Sequence, residues 1–165
     1  MAMGGARRDL AARLEAQIVA RARAPVFFAS LGVPDTMDGR FDMMALHSWL
    51  VLERLKKTGM DDTAQALTDT LFTSFDEALR EQGTGDMGMS RKIKAMAEAF
   101  FGRLKAYAEA GDEETLAAAI ARNVWRGRQT DANARTLASY VTGARAALAA
   151  SRAEDGELDF GPLPS

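Results

Sequence analysis

Asp61–Glu81 reads DDTAQALTDTLFTSFDEALRE, and its apolar residues recur every three or four positions. That spacing follows the period of an α-helix and places the apolar side chains on one face. Asp62, Asp69 and Asp76 fall seven residues apart on the opposite face, where solvated side chains are expected. The segment therefore predicts an amphipathic helix, whose buried face consists of Ala64, Leu67, Leu71, Phe72, Phe75, Ala78 and Leu79.

The helical period continues on both sides of this segment. Ala, Leu, Arg, Glu and Met fill the chain, and the alternating pattern of a half-buried strand is nearly absent. Pro25 and the glycines at 32, 59 and 111 mark helix ends, and Ser90 is a candidate N-cap. We therefore predict helices over residues 7–23, 26–31, 40–58, 61–81, 90–110, 113–125 and 131–150, with a turn at 127–130.

The predicted fold class is all-α, as a single compact multi-helix domain of six to seven helices with an extended C-terminal tail. We divide the chain into an N-terminal amphipathic helix (1–24), a helical domain (25–150) and an extended acidic tail (151–165). Leu158 and Phe160 are the expected anchors of the tail.

Composition limits the function classes. The chain has 165 residues, no cysteine and a formal net charge of −2. The lack of cysteine excludes disulfides, thiol catalysis and cysteine-ligated zinc or iron–sulfur sites, and the charge does not favour DNA. No signal peptide or membrane span is expected. We therefore expect a cytoplasmic protein, with a peripheral position at the inner membrane as an alternative.

Two patterns invite a catalytic interpretation. The glycines at 83, 85 and 88 match a dinucleotide-binding fingerprint, but that fingerprint requires a preceding strand, which the sequence does not predict. A helix–helix turn that exposes Met87 and Met89 is the better interpretation. His47 is the only histidine, with no metal-ligand or triad spacing around it, so a packing role is expected. We predict no enzyme activity, no metal and no cofactor.

Apolar residues point almost all the way round the predicted helix over 40–58. Such a helix is either central in the core or half-buried beside a partner groove, and the core position is favoured.

Basic residues are concentrated in two places. Lys92 and Arg103 flank the buried face of the helix over 90–110, where long basic side chains normally keep their charged ends in solvent. From 115 to 153 there is one acid, Asp131, against six arginines: 122, 126, 128, 135, 145 and 152. This second group indicates either a surface for RNA, acidic lipid or acidic protein, or an ordinary solvated face.

Two longer motifs give the chain a family resemblance. Residues 71–107 contain the glycine-rich turn GDMGM followed by the basic helix KIKAMAEAFFGRLKAY, and residues 38–55 begin with DGRFDMMALH. These segments resemble the ubiquinol–cytochrome c chaperone family, and the resemblance extends over about residues 25–141.

The resemblance implies a helical assembly factor for ubiquinol–cytochrome c reductase, respiratory complex III, which binds newly made cytochrome b or another reductase subunit. The resemblance also implies the ribosome as a further partner, while the basic residues indicate an anionic membrane surface as another. A peripheral membrane- or ribosome-docking adaptor without chaperone action is the alternative function. The candidate partner-binding residues by resemblance are Gly85, Asp86, Met87, Gly88, Met89, Lys92, Lys94, Phe100, Arg103 and Tyr107.

Overall fold

The structure, a computed structural model, describes residues 2–83, 85–126 and 131–165, and the side chains of all of these except residues 2, 3 and 86. Within these ranges the chain forms helices and one 3-10 turn, and no strand. The elements are α1 (Ala2–Ala22), α2 (Pro25–Ala29), α3 (Met37–Lys57), α4 (Asp61–Glu81), α5 (Asp86–Glu109), α6 (Glu113–Val124), α7 (Asp131–Ala150) and the 3-10 turn Ala153–Asp155. The predicted all-α class is confirmed.

Two helices begin earlier than predicted: α1 begins at Ala2 instead of residue 7, and α5 begins at Asp86 instead of residue 90. The sequence predicts a loop over residues 82–89, but α5 begins at Asp86, and the N–H of Met89 donates to the Gly85 carbonyl at 3.1 Å. Met89 is buried one turn into the helix, and that burial offsets the low helix propensity of Gly88. The loop prediction is therefore wrong over 86–89, while the predicted turn at 127–130 lies outside the described residues.

α3 is the central helix of the fold. It packs against α1, α4, α5, α6 and α7, and most of its apolar side chains are buried. The core interpretation of this helix is confirmed for most of its length. Only Met37, Phe41 and Met44 among its apolar residues remain half-buried.

The C-terminal tail lies against α1 and the core. The Gln17 side chain donates to the Gly156 carbonyl at 2.6 Å and accepts from the Leu158 N–H at 2.9 Å. Phe160 is buried with its ring centroid 5.7 Å from that of His47, and Arg21 donates to the Gly161 carbonyl. Leu158 and Phe160 thus anchor the tail as expected, while the three-part division of the chain stays a prediction.

A membrane-spanning helix needs about twenty mostly apolar residues in succession. None of the helices within the described ranges provides such a stretch.

Candidate binding site

An apolar cleft of about 260 Å³ opens between α1, α3, α4 and α5. Its apolar lining comes from all four helices: Val19, Met37, Phe41, Met44, Phe75, Ala78 and Met96. Methionine is unbranched and polarizable, and surfaces that accept several partners use it often. Three methionines in so small a cleft therefore suit apolar side chains of differing shape.

One wall of the cleft is a single face of α3. Met37, Phe41 and Met44 are spaced by four and three residues, which places their side chains in one row. The Phe41 ring meets the Phe75 ring of α4 edge-on, with centroids 5.5 Å apart. This aromatic contact joins two walls and fixes their separation at that point.

Charges of both signs surround the cleft. Glu15 and Glu81 stand at its edge together with Arg23 and Arg40. Glu15 is already engaged, since it accepts a hydrogen bond from the Ser74 hydroxyl at 2.7 Å. A rim of mixed charge does not select an occupant by net charge, so the apolar lining determines what the cleft prefers.

A buried charge cluster lies next to the cleft. The Asp42 side chain is only 1% exposed and forms ion pairs with Arg103 of α5 at 2.9 Å and with Arg126, just after α6, at 3.2 Å. The guanidinium of Arg103 also lies 5.5 Å from the centroid of the Phe41 ring. The cluster therefore ties α5 and the end of α6 to the part of α3 that forms the cleft wall.

The ionisation of Asp42 should make the stability of the protein depend on pH. Burial raises the pKa of the Asp42 carboxyl from 3.8 to about 6, although both guanidinium groups oppose the rise. Because the folded protein then binds this proton more tightly than the unfolded chain, the resulting stabilisation is full below about pH 4 and is lost as the pH rises through about 6.

We expect the wild-type protein to lose about 2–3 kcal/mol of unfolding free energy, relative to Asp42→Asn, between about pH 4 and pH 7. Urea denaturation of both proteins at several pH values measures this difference. The asparagine variant has no carboxyl to ionise at this position, so a difference that stays constant with pH would contradict the prediction.

The structure separates the candidate partner-binding residues into exposed and buried groups. Met87 is 99% exposed, Gly85, Lys92 and Lys94 are also exposed, and Gly88 is half-buried. Met89, Phe100 and Tyr107 are buried, so the expected exposure of Met89 is wrong. The side chain of Asp86 lies outside the described residues. The ten residues therefore do not form one continuous surface.

Arg103 corrects a further expectation. Its charged end does not remain in solvent, because its side chain is only 11% exposed and its guanidinium pairs with Asp42. The physical reason is the buried carboxylate, which requires a counter-ion inside the protein. Any partner-binding role of Arg103 is therefore coupled to the stability of the fold.

His47 has the expected packing role. Its ring is buried, and its nitrogens lie 2.8 Å from the Met43 carbonyl and 3.0 Å from the Tyr140 hydroxyl. Burial lowers the pKa of His47 to about 4, which keeps the ring neutral near pH 7. The Tyr140 hydroxyl also accepts from Arg21 at 3.0 Å.

The dinucleotide-binding interpretation of the glycines at 83, 85 and 88 is not supported. These glycines lie between α4 and α5 or at the start of α5, and no strand precedes them in the described part of the chain.

Three of the five arginines that the structure describes in the group at 122–152 have carboxylate partners. Arg145 binds Glu53 through two hydrogen bonds of 2.9 and 3.0 Å, Arg152 pairs with Asp155, and Arg126 pairs with Asp42. Arg122 and Arg135 are exposed, and Arg128 lies outside the described residues. Part of this arginine group therefore forms ion pairs within the protein and is not a free basic surface.

The cleft is the feature that sequence reasoning missed. The spacing of Met37, Phe41 and Met44 was visible in the sequence, but it was hidden by the apolar residues on the other faces of α3. Nothing in the sequence showed that Met96 of α5 would meet the same space.

Comparisons with known proteins agree with this fold. The sequence model of the ubiquinol–cytochrome c chaperone family matches residues 29–155. A curated relative from Xenopus laevis, ubiquinol-cytochrome-c reductase complex assembly factor 1, is 26% identical over 102 residues, which cover 59% of this chain and 51% of that protein. The chain thus spans about half the length of this relative.

A solved structure matches over nearly the whole chain. The crystal structure of the Cbp3 homolog from Brucella abortus has 34% sequence identity and a TM-score of 0.84, and the match covers 97% of this chain and 93% of that one. With a family match that includes most of the sequence, these similarities show that the chain belongs to the ubiquinol–cytochrome c chaperone family.

Proposed function

We propose that this protein is an assembly factor for ubiquinol–cytochrome c reductase, and that it binds an apolar segment of a newly made subunit, cytochrome b, in the methionine-lined cleft. Family membership supports the assembly role, and the name of the Xenopus relative describes that protein as an assembly factor of the same complex. The single observation that carries the binding site is the apolar cleft between α1, α3, α4 and α5.

The chemistry of the cleft suits an unassembled membrane protein. A subunit outside the bilayer exposes apolar side chains to water, which is energetically unfavourable. Transient burial of such side chains in a cleft reduces this exposure. The partly exposed side chains of Met37, Met44 and Met96 can adapt to these groups without a fixed shape.

Polar substitutions in the cleft test this proposal. We expect Met37→Gln/Met96→Gln to weaken subunit binding by about tenfold or more, because two side chains lose apolar contact while their size is nearly kept. The measurement is capture of reductase subunits from detergent-solubilised membranes of the native host by the purified protein, quantified by mass spectrometry. Thermal unfolding of the same variant checks that the fold is intact.

Met87→Gln is the matched control, since Met87 is fully exposed and lies outside the cleft. Normal capture by this control and reduced capture by the cleft variant support the proposed site. The reverse result would move the site to the start of α5, as the family resemblance implies. Recovery of ribosomes or lipids without any reductase subunit from the wild-type protein would favour the adaptor function instead.

A further inference from the structure

α5 has a broad solvent-exposed side. Among its 24 residues, only Met89, Phe100 and Tyr107 are buried in the described part of the helix. Its solvent side carries a straight row of residues spaced by three or four, which we call the outward stripe: Met87, Arg91, Lys94, Glu98, Phe101 and Lys105. At the rise of an α-helix the stripe is about 27 Å long.

Apolar side chains mark two positions on the outward stripe. Met87 is 99% exposed and Phe101 is 50% exposed, which makes them two of the large apolar side chains most open to solvent. The Phe101 ring stacks on the Phe72 ring of α4, with centroids 5.6 Å apart and an angle of 25° between the planes. Phe101 is therefore supported from behind and is held at the surface.

Cations lie between these two apolar positions. From Met87 to Phe101 the sequence contains Arg91, Lys92 and Lys94 against one acid, Glu98. Within the described part of the chain, neither Arg91 nor Lys94 forms an ion pair, whereas Lys105 is 3.9 Å from Glu109. The charge of the stripe is therefore available to an external anion.

We propose that the outward stripe docks on a membrane surface that carries anionic lipid headgroups. A protein interface normally has an apolar centre and a charged rim, but this stripe has charges in its centre and apolar residues on either side. A convex helix with basic residues and a few exposed apolar side chains matches a position in the plane of the lipid interface. There Met87 and Phe101 enter the headgroup layer, while Arg91 and Lys94 contact the anions.

Vesicle flotation with the purified full chain tests the proposal, independently of any reductase subunit. The vesicles contain phosphatidylcholine alone, or phosphatidylcholine with phosphatidylglycerol. We expect binding only to the anionic vesicles, and we expect it to fall steeply at about 0.5 M salt, where charges are screened within a few ångströms. Arg91→Glu/Lys94→Glu should lower the partition coefficient at least about tenfold, and Phe101→Ser should lower it at low and high salt.

Arg122→Glu/Arg135→Glu is the matched control. It makes the same change in net charge at two exposed positions of α6 and α7, and we expect it to bind anionic vesicles normally. Equal loss of binding in both double variants would overturn the assignment to α5. Equal binding of the wild-type protein to neutral and anionic vesicles would overturn the role of anionic headgroups. Failure of the wild-type protein to float with anionic vesicles at low salt would overturn the proposal itself.

Discussion

Replacing Arg103 with methionine is expected to lower the unfolding free energy by about 3 kcal/mol at neutral pH and the melting temperature by about 10 °C. Arg103 provides the shorter of the two ion pairs of Asp42, whose side chain is only 1% exposed. Without it, the carboxylate depends on Arg126, which is half exposed and lies at 3.2 Å. Breaking a buried pair from one side leaves a charge in the interior, which is the costly case.

The penalty should shrink near pH 5. Burial already raises the pKa of Asp42 to about 6, and Arg103 is the largest influence that opposes the rise. Its removal should therefore raise this pKa further, and a protonated Asp42 needs no counter-ion. Chemical denaturation of the Arg103→Met variant at both pH values measures the change.

Two further variants make the interpretation specific. Lys105→Met makes the same kind of change on an exposed part of α5, where the pair with Glu109 should contribute no more than about 0.5 kcal/mol. The double variant Asp42→Leu/Arg103→Met replaces the pair with apolar side chains and should be more stable than Arg103→Met alone. If Arg103→Met and Lys105→Met unfold together, the buried cluster does not contribute to stability.

Arg103 also illustrates what the sequence could not show. The helical period correctly predicts that Arg103 lies at the edge of a buried face. A long basic side chain at such an edge normally keeps its charge in solvent, which is why burial was not expected. The deciding group, Asp42, lies more than sixty residues earlier and only meets Arg103 when α3 packs against α5. A contact between distant segments leaves no signal in the spacing of either one.

Local patterns were sufficient for the helices. α4 has the predicted boundaries because its apolar face, its polar face and the glycines around it all indicate the same segment. At α5 these signals conflicted: the glycines indicated a loop, but burial of Met89 decides for a helix. The cleft was beyond prediction for the same reason as the Asp42 cluster, since its lining comes from four helices.

A substitution near the N-terminus of α3 should also have a large effect on stability, because this end of the helix sets the position of the cleft wall. Thr36 is the N-cap, and its hydroxyl accepts from the Gly39 N–H at 3.1 Å. A Cβ atom at Gly39 would lie 1.7 Å from the carbonyl oxygen of Pro34 and 2.8 Å from its carbonyl carbon. Both are backbone atoms, so no side-chain rotation can relieve the overlap.

We therefore expect Gly39→Ala to destabilise the protein by about 3 kcal/mol and to reduce subunit capture, because the connection before α3 must shift and Met37 follows it. Gly143→Ala on α7 is the matched control, since a Cβ there meets nothing within 4 Å. In an open helical position the same substitution should stabilise the protein by about 0.5–1 kcal/mol. Denaturation of both variants should thus give opposite signs. Stabilisation by alanine at both positions would show that Pro34 does not pack tightly on α3, and the observed cleft wall would then lack its proposed support.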